Sequence, residues 1–193
     1  MNNVVKTVAV AFATAFAAFP LAASAHPGLH AAGFEDGFIH PFTGADHLLA
    51  MIAVGFWAGT FGGRMRFVIP AVFATVMVLG AAIGFHSEAP GFIEYGIAAS
   101  VAAMGLLIAF DVKMPAVPGA ALVGLFAFLH GFAHGAEAPA ATTEVSFFSG
   151  FVLAGLILQG VGVGLASLRP GRRIARIAGA LITLGGAWML GNA

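Results

Sequence analysis

The sequence predicts an all-α fold: a polytopic membrane helix bundle of six transmembrane helices behind a cleaved N-terminal signal peptide. The 193 residues are 60% hydrophobic and only 8% charged, whereas a soluble domain carries about 25% charged residues. Mean hydropathy is +0.99. The apolar residues also fall into separate blocks, each approaching the roughly 20 needed to cross about 30 Å of hydrocarbon as a helix.

The chain opens with Lys6, an apolar run from Val8 to Leu21, and Ala23-Ser24-Ala25. That order of cation, apolar stretch and small-x-small site is the pattern of a secretory signal peptide. Residues 1–25 are assigned to it, and residues 26–193 to one transmembrane domain. An uncleaved first helix is the alternative, and either way the next segment starts outside the cytoplasm.

A short polar arm follows, with His26, His30, Glu35, Asp36 and His40. The spans are then expected at Ala45–Phe61, Phe67–Phe85, Phe92–Phe110, Pro118–His134, Val145–Leu168 and Ile174–Leu190. The connectors between them are marked by Gly, Pro or charge, as in Gly62-Gly63-Arg64-Met65-Arg66. Gly55, Gly59, Gly155, Gly160, Gly162 and Gly164 are read as positions where helices approach closely. Met51, Met77 and Met104 are read as core filler.

Cytoplasmic loops are enriched in Lys and Arg. With His26 outside, the inner connectors hold Arg64, Arg66, Lys113, Arg169, Arg172, Arg173 and Arg176, which is every cation after residue 25. All seven histidines, and every acid except Asp111, fall at the opposite end. Imidazoles and carboxylates gathered on one face form a metal-coordinating vestibule; the bland alternative is that outer loops need polar residues.

Two clusters carry the chemistry. The first is His40-x5-Asp46-His47. The apolar part of its span, Leu48 to Phe61, is short, so Asp46 and His47 lie at or just under the membrane boundary. A helix beginning near Pro41 puts His40 and His47 seven apart, two turns along one side. Asp46 is then either a co-ligand or an acceptor for an imidazole N–H, and a third reading makes His40 and Asp46 helix-start residues only. The second cluster is His130, His134 and Glu137, spaced i, i+4, i+7 and so on one stripe. For His130 alone, a neutral imidazole bonded to a backbone carbonyl is the competing reading. Glu94, at the start of the third span, is either a charge favoured by the helix dipole or a ligand facing the bundle. His26 and His30 add a capture arm.

Without cysteine, thiolate ligation and disulfides are excluded. Imidazole and carboxylate suit Ni²⁺, Co²⁺, Zn²⁺, Mn²⁺ or Fe²⁺, and ligand chemistry does not choose among them. A zero formal net charge gives no reason to expect nucleic acid as a partner. No GxxxxGK[ST] phosphate loop is present, so transport would run without an ATP motor in this chain.

The motifs His40-x5-Asp46-His47-Leu-Leu-Ala-Met51 and His130-Gly-x-Ala-His134-Gly-x-Glu137 resemble the two signatures of the HupE/UreJ family of nickel permeases. The resemblance extends over essentially the whole chain. Leu129 departs from it, standing where the family often has Phe. The resemblance implies a secondary transporter that brings nickel, or alternatively cobalt, through the cell inner membrane for hydrogenase or urease maturation; zinc stays an alternative on ligand chemistry alone. Its metal site would draw on His40, Asp46, His47, His130, His134, Glu137 and Glu94, with His26 and His30 outside, and it would have no catalytic cofactor. The rival readings are a membrane-embedded hydrolase with a His/Asp-bound metal, against which stands the lack of HExxH, and a metal-sensing or assembly subunit that never transports.

Overall fold

The computed structural model describes residues 33–138 and 144–193. The expected signal peptide and the arm residues His26 and His30 lie outside the described residues. Seven helices are present among them: α1 (Phe34–Thr43), α2 (Ala45–Phe61), α3 (Met65–Gly84), α4 (Phe92–Ala109), α5 (Ala116–Glu137), α6 (Glu144–Ser167) and α7 (Arg172–Leu190). The described residues contain no strand. Helices α3 to α7 are long and apolar enough to cross a membrane. Helix α2, with 17 residues, is shorter, about 26 Å at the helical rise.

The apolar blocks form helices over nearly the spans expected. Lipid offers no partner for backbone N–H and C=O groups, so a run of this composition satisfies them internally. Glycine supplies the sharpest stop. Gly62 and Gly63 adopt φ of +67° and +51°, a region open to glycine at little cost, and α2 ends there.

Helix α2 is the centre of the bundle. Met51, Ala53, Val54, Phe56, Trp57 and Ala58 are all buried, as expected of a helix apolar on every side. Around it α3 packs most closely on α5, α4 on α7, and α6 on both α2 and α1. Met51, Met77 and Met104 are core residues, at most 1% exposed. Phe67, Leu79, Leu125 and Leu184 are exposed on the outer surface, where lipid would cover them.

The packing glycines divide into two groups. A Cβ on Gly55 would run into the carbonyl of Gln159, and one on Gly162 into that of Ile52, so α2 and α6 touch backbone to backbone. Gly160 and Gly164, expected to do the same, have open space where a Cβ would stand. Each is two residues from Gly162, and two residues turn a helix by about 200°, which carries both to the outward face of α6. Gly160→Ala and Gly164→Ala are therefore expected to raise helix stability by about 0.5–1 kcal/mol. Gly162→Ala is expected to lower it by about 1–3 kcal/mol through overpacking. Thermal unfolding in detergent checks the contrast, and equal melting temperatures for the three variants would refute it.

Helix α1 corrects the expected start of the first span. Pro41 does not begin a helix but lies inside α1, and the break comes at Gly44, an extended residue with φ −94° and ψ 126°. His40 and His47 are thus on different helices. The arm is helical because Gly37 and Pro41, one turn apart, give it a buried face. Gly37 and Gly150 let α1 lie flush on α6, since a Cβ on either would overlap the backbone of Phe147 or Phe34.

Candidate metal centre

The site stands where the end of α1, the start of α2 and the end of α5 meet. Helix α1 supplies His40, α2 supplies Asp46 and His47, and α5 supplies His130 and His134. The break at Gly44 makes the meeting possible. In one continuous helix, seven residues would separate His40 from His47 by about 10.5 Å along the axis, but here their ring centroids are 5.0 Å apart. Gly44 also has to lack a side chain: a Cβ there would come within 2.5 Å of His47 Nδ1 and 2.8 Å of Asp46 Oδ1.

Asp46 settles on the far side of the His47 ring. Its Oδ1 accepts from His47 Nδ1–H at 2.7 Å, which leaves the lone pair on Nε2 and turns it inward. A carboxylate so placed fixes the tautomer of a ligating histidine and raises its basicity. His47 Nε2 meets Nε2 of His134. The His40 ring lies nearly perpendicular to both, 4.9 Å from that of His134. One ligand atom from each of His40, His47 and His134 falls within 4.8 Å of the others. Two imidazole nitrogens each about 2.1 Å from one ion stand about 3.4 Å apart at a tetrahedral angle and at most about 4.2 Å apart, so three nitrogens on three helices lie within a small adjustment of a shared cation.

His130 lies one turn farther in and is 0% exposed. Its Nδ1–H donates to the Phe126 carbonyl at 3.2 Å, the contact expected of a structural histidine. Its Nε2, however, has no hydrogen-bond partner, and its ring is 5.8 Å from that of His47. Helix α5 persists through Glu137, so the expected stripe of His130, His134 and Glu137 is intact. Glu137 and Glu94 are exposed and stand outside the three-imidazole group. The Glu94 carboxyl lies within Coulomb range of Glu137 and Asp46, which makes an acidic rim.

Each histidine of α5 is followed by a glycine. A Cβ on Gly131 would overlap the carbonyl of Met77, and one on Gly135 that of Ala81. The glycines seat α5 on α3, and the helical twist of about 100° per residue turns the preceding histidines toward α1 and α2.

Two residues of the site were not anticipated from the sequence. Phe151, fully buried on α6, has its ring 5.7 Å from that of His40, 5.9 Å from His47 and 4.9 Å from His134. Phe147 adds a contact at 6.0 Å to His40. Together they wall the imidazoles with apolar surface, which strengthens electrostatic interactions by lowering the local dielectric. In a sequence with 19 phenylalanines, only their separation by four residues on one helix face could have singled them out.

The profile of the protein family described as HupE / UreJ protein matches residues 14–189. The chain belongs to the HupE/UreJ family. It is 46% identical over 176 residues to Protein HupE of Rhizobium leguminosarum bv. viciae, covering 90% of this chain and 92% of that one. No solved structure matches. HupE/UreJ proteins are hydrogenase and urease accessory proteins. In this HupE/UreJ chain Leu129, the departure in the second motif, packs with Ile93, Ile97 and Ala133.

Proposed function

We propose that the protein is a permease that carries a divalent transition metal, nickel foremost, across the cell inner membrane to supply hydrogenase or urease maturation. The observation that carries this reading is the convergence of His40, His47 and His134 from three helices at one end of an apolar bundle. Ionisable side chains within a membrane are costly and gather where ions pass. Three neutral nitrogens with a carboxylate behind one of them suit a borderline divalent cation, with Co²⁺ or Zn²⁺ as the next choices. Three protein ligands also leave coordination positions open, and a conducted ion has to leave its site as well as enter it.

In this reading the shorter α2 also crosses the membrane as the first of six spans, the signal peptide is cleaved, and the arginine-rich end faces the cytoplasm, so that the histidines lie at the periplasmic face. Glu94 and Glu137 draw cations to the mouth, His26 and His30 extend the capture arm, and His40, His47 and His134 form the entrance site. The driving force is the metal gradient, without ATP.

The test is flux of radiolabelled nickel into proteoliposomes containing only the purified protein. Entry down the concentration gradient without ATP, competed by excess cobalt, is expected. Nickel binding without flux would overturn transport in favour of a sensing or assembly subunit, and hydrolysis abolished by a chelator would favour the metalloenzyme.

A further inference from the structure

Among the described residues two buried side-chain polar atoms have no hydrogen-bond partner, His130 Nε2 and Gln159 Oε1. The first borders the entrance site. The second is on α6, deep in the bundle, and Gln159 is 1% exposed. Buried polar atoms in membrane helices ordinarily find partners across the interface, where they serve as glue between helices. An amide oxygen that accepts nothing in so apolar a place calls for another account.

Its position supplies one. Helices α2 and α6 run in the same direction and meet along matching steps of four residues. At the first level His47 faces Phe151, with ring centroids 5.9 Å apart. At the second, Met51 sets its thioether against Gly155, where a Cβ would stand 3.2 Å from the sulfur. At the third, Gly55 lies against the backbone of Gln159. Each step advances about 6 Å, so Gln159 lies about 12 Å inward of the entrance site. Beyond it, at the arginine-rich end, is a cavity of about 230 Å³ lined by Phe56, Thr60, Asp111 and Ala166, together with arginines that include Arg169 and Arg172.

We propose that Gln159 Oε1 is an interior ligand for the transported cation, taking it over from the entrance histidines and passing it to this cavity. The inference rests on the permease reading above. An uncharged amide oxygen replaces one water of a divalent cation without trapping it, which is what a site in transit requires. In the cavity, Asp111 is the carboxylate available to the cation at the exit.

The experiment compares nickel flux in proteoliposomes with nickel binding by the purified protein for Gln159→Leu and Gln159→Glu. For Gln159→Leu the maximal rate is expected to fall about tenfold or more, with binding and half-saturating concentration within about twofold of wild type. Gln159→Glu keeps the oxygen and adds charge. It is expected to hold the ion longer, lowering the half-saturating concentration several-fold together with the maximal rate. Wild-type flux in a Gln159→Leu protein that binds nickel normally overturns the proposal. So does a Gln159→Glu protein with both kinetic parameters unchanged, and that variant decides the matter if the leucine variant does not fold. Should His47→Ala also transport normally, the permease reading falls too; if His47→Ala is inactive and both Gln159 variants are normal, only the role of Gln159 is lost.

Discussion

Replacing His47 or His134 by alanine is expected to reduce nickel uptake at limiting concentration on the order of a hundredfold, because each removes one of the nitrogens around which the site closes. The effect should lie at the upper end of the 10–100-fold in metal affinity that losing a supporting group typically costs. His47→Ala removes the inward-facing Nε2 and also deprives Asp46 of its partner at 2.7 Å, leaving a carboxylate at the membrane boundary without the imidazole that orders it. His134→Ala leaves that pair intact but takes away the nitrogen opposite His47 Nε2. Asp46→Asn tests the supporting role separately. It preserves shape and an acceptor oxygen but lowers the basicity of the ring, so a loss of about tenfold is expected. Uptake of radiolabelled nickel, with titration of the purified variants, reads all three. Wild-type uptake in either alanine variant would remove the entrance site from the pathway, and an Asp46→Asn loss as deep as that of His47→Ala would make Asp46 a direct ligand.

The sequence was most legible where solvent alone decides structure. Helices α2 to α7 fall close to the apolar blocks because a backbone in hydrocarbon has no alternative to the helix. The pairing of the two histidine clusters was also legible, since topology puts the start of the first span and the end of the fourth on one side of the membrane. It left open which residues touch. Asp46 as co-ligand and Asp46 as acceptor have the same sequence, and only the turn at Gly44 separates them. Helix α1 escaped notice because Glu35, Asp36 and His40 gave the arm a polar appearance, although Gly37 and Pro41 stand one turn apart on its buried face. Phe151 was invisible for a different reason: its contacts come from the packing of α6 on α1 and α2, and no local pattern specifies which of many phenylalanines will face an imidazole. Gly160 and Gly162 look alike in sequence, yet they stand on different faces of α6 because of the helical turn between them.

Gly131→Ala and Gly135→Ala are expected to lose stability and metal binding together, which ties the packing of α5 to its chemistry. In both cases the added methyl would meet a main-chain carbonyl of α3, that of Met77 or of Ala81. A flexible side chain could swing aside, but a helix backbone cannot, so α5 has to move away from α3. Overpacking a well-filled interior costs about 1–3 kcal/mol, and contact with backbone on a rigid partner places these variants toward the upper end. The same displacement carries His130 and His134 off the line that His134 shares with His40 and His47, so nickel affinity should fall although no histidine has been altered. Gly124→Ala on the same helix is the control. Its Cβ would meet only the Val72 and Val76 side chains at 3.8 Å, an ordinary contact, and it should melt at or above the wild-type temperature with affinity unchanged. Thermal unfolding in detergent and nickel titration of the three variants test the coupling. If Gly131→Ala and Gly135→Ala melt with Gly124→Ala, the seating of α5 on α3 does not hold the histidines in place. If they lose stability but keep wild-type affinity, the imidazoles are positioned from the α1 and α2 side alone.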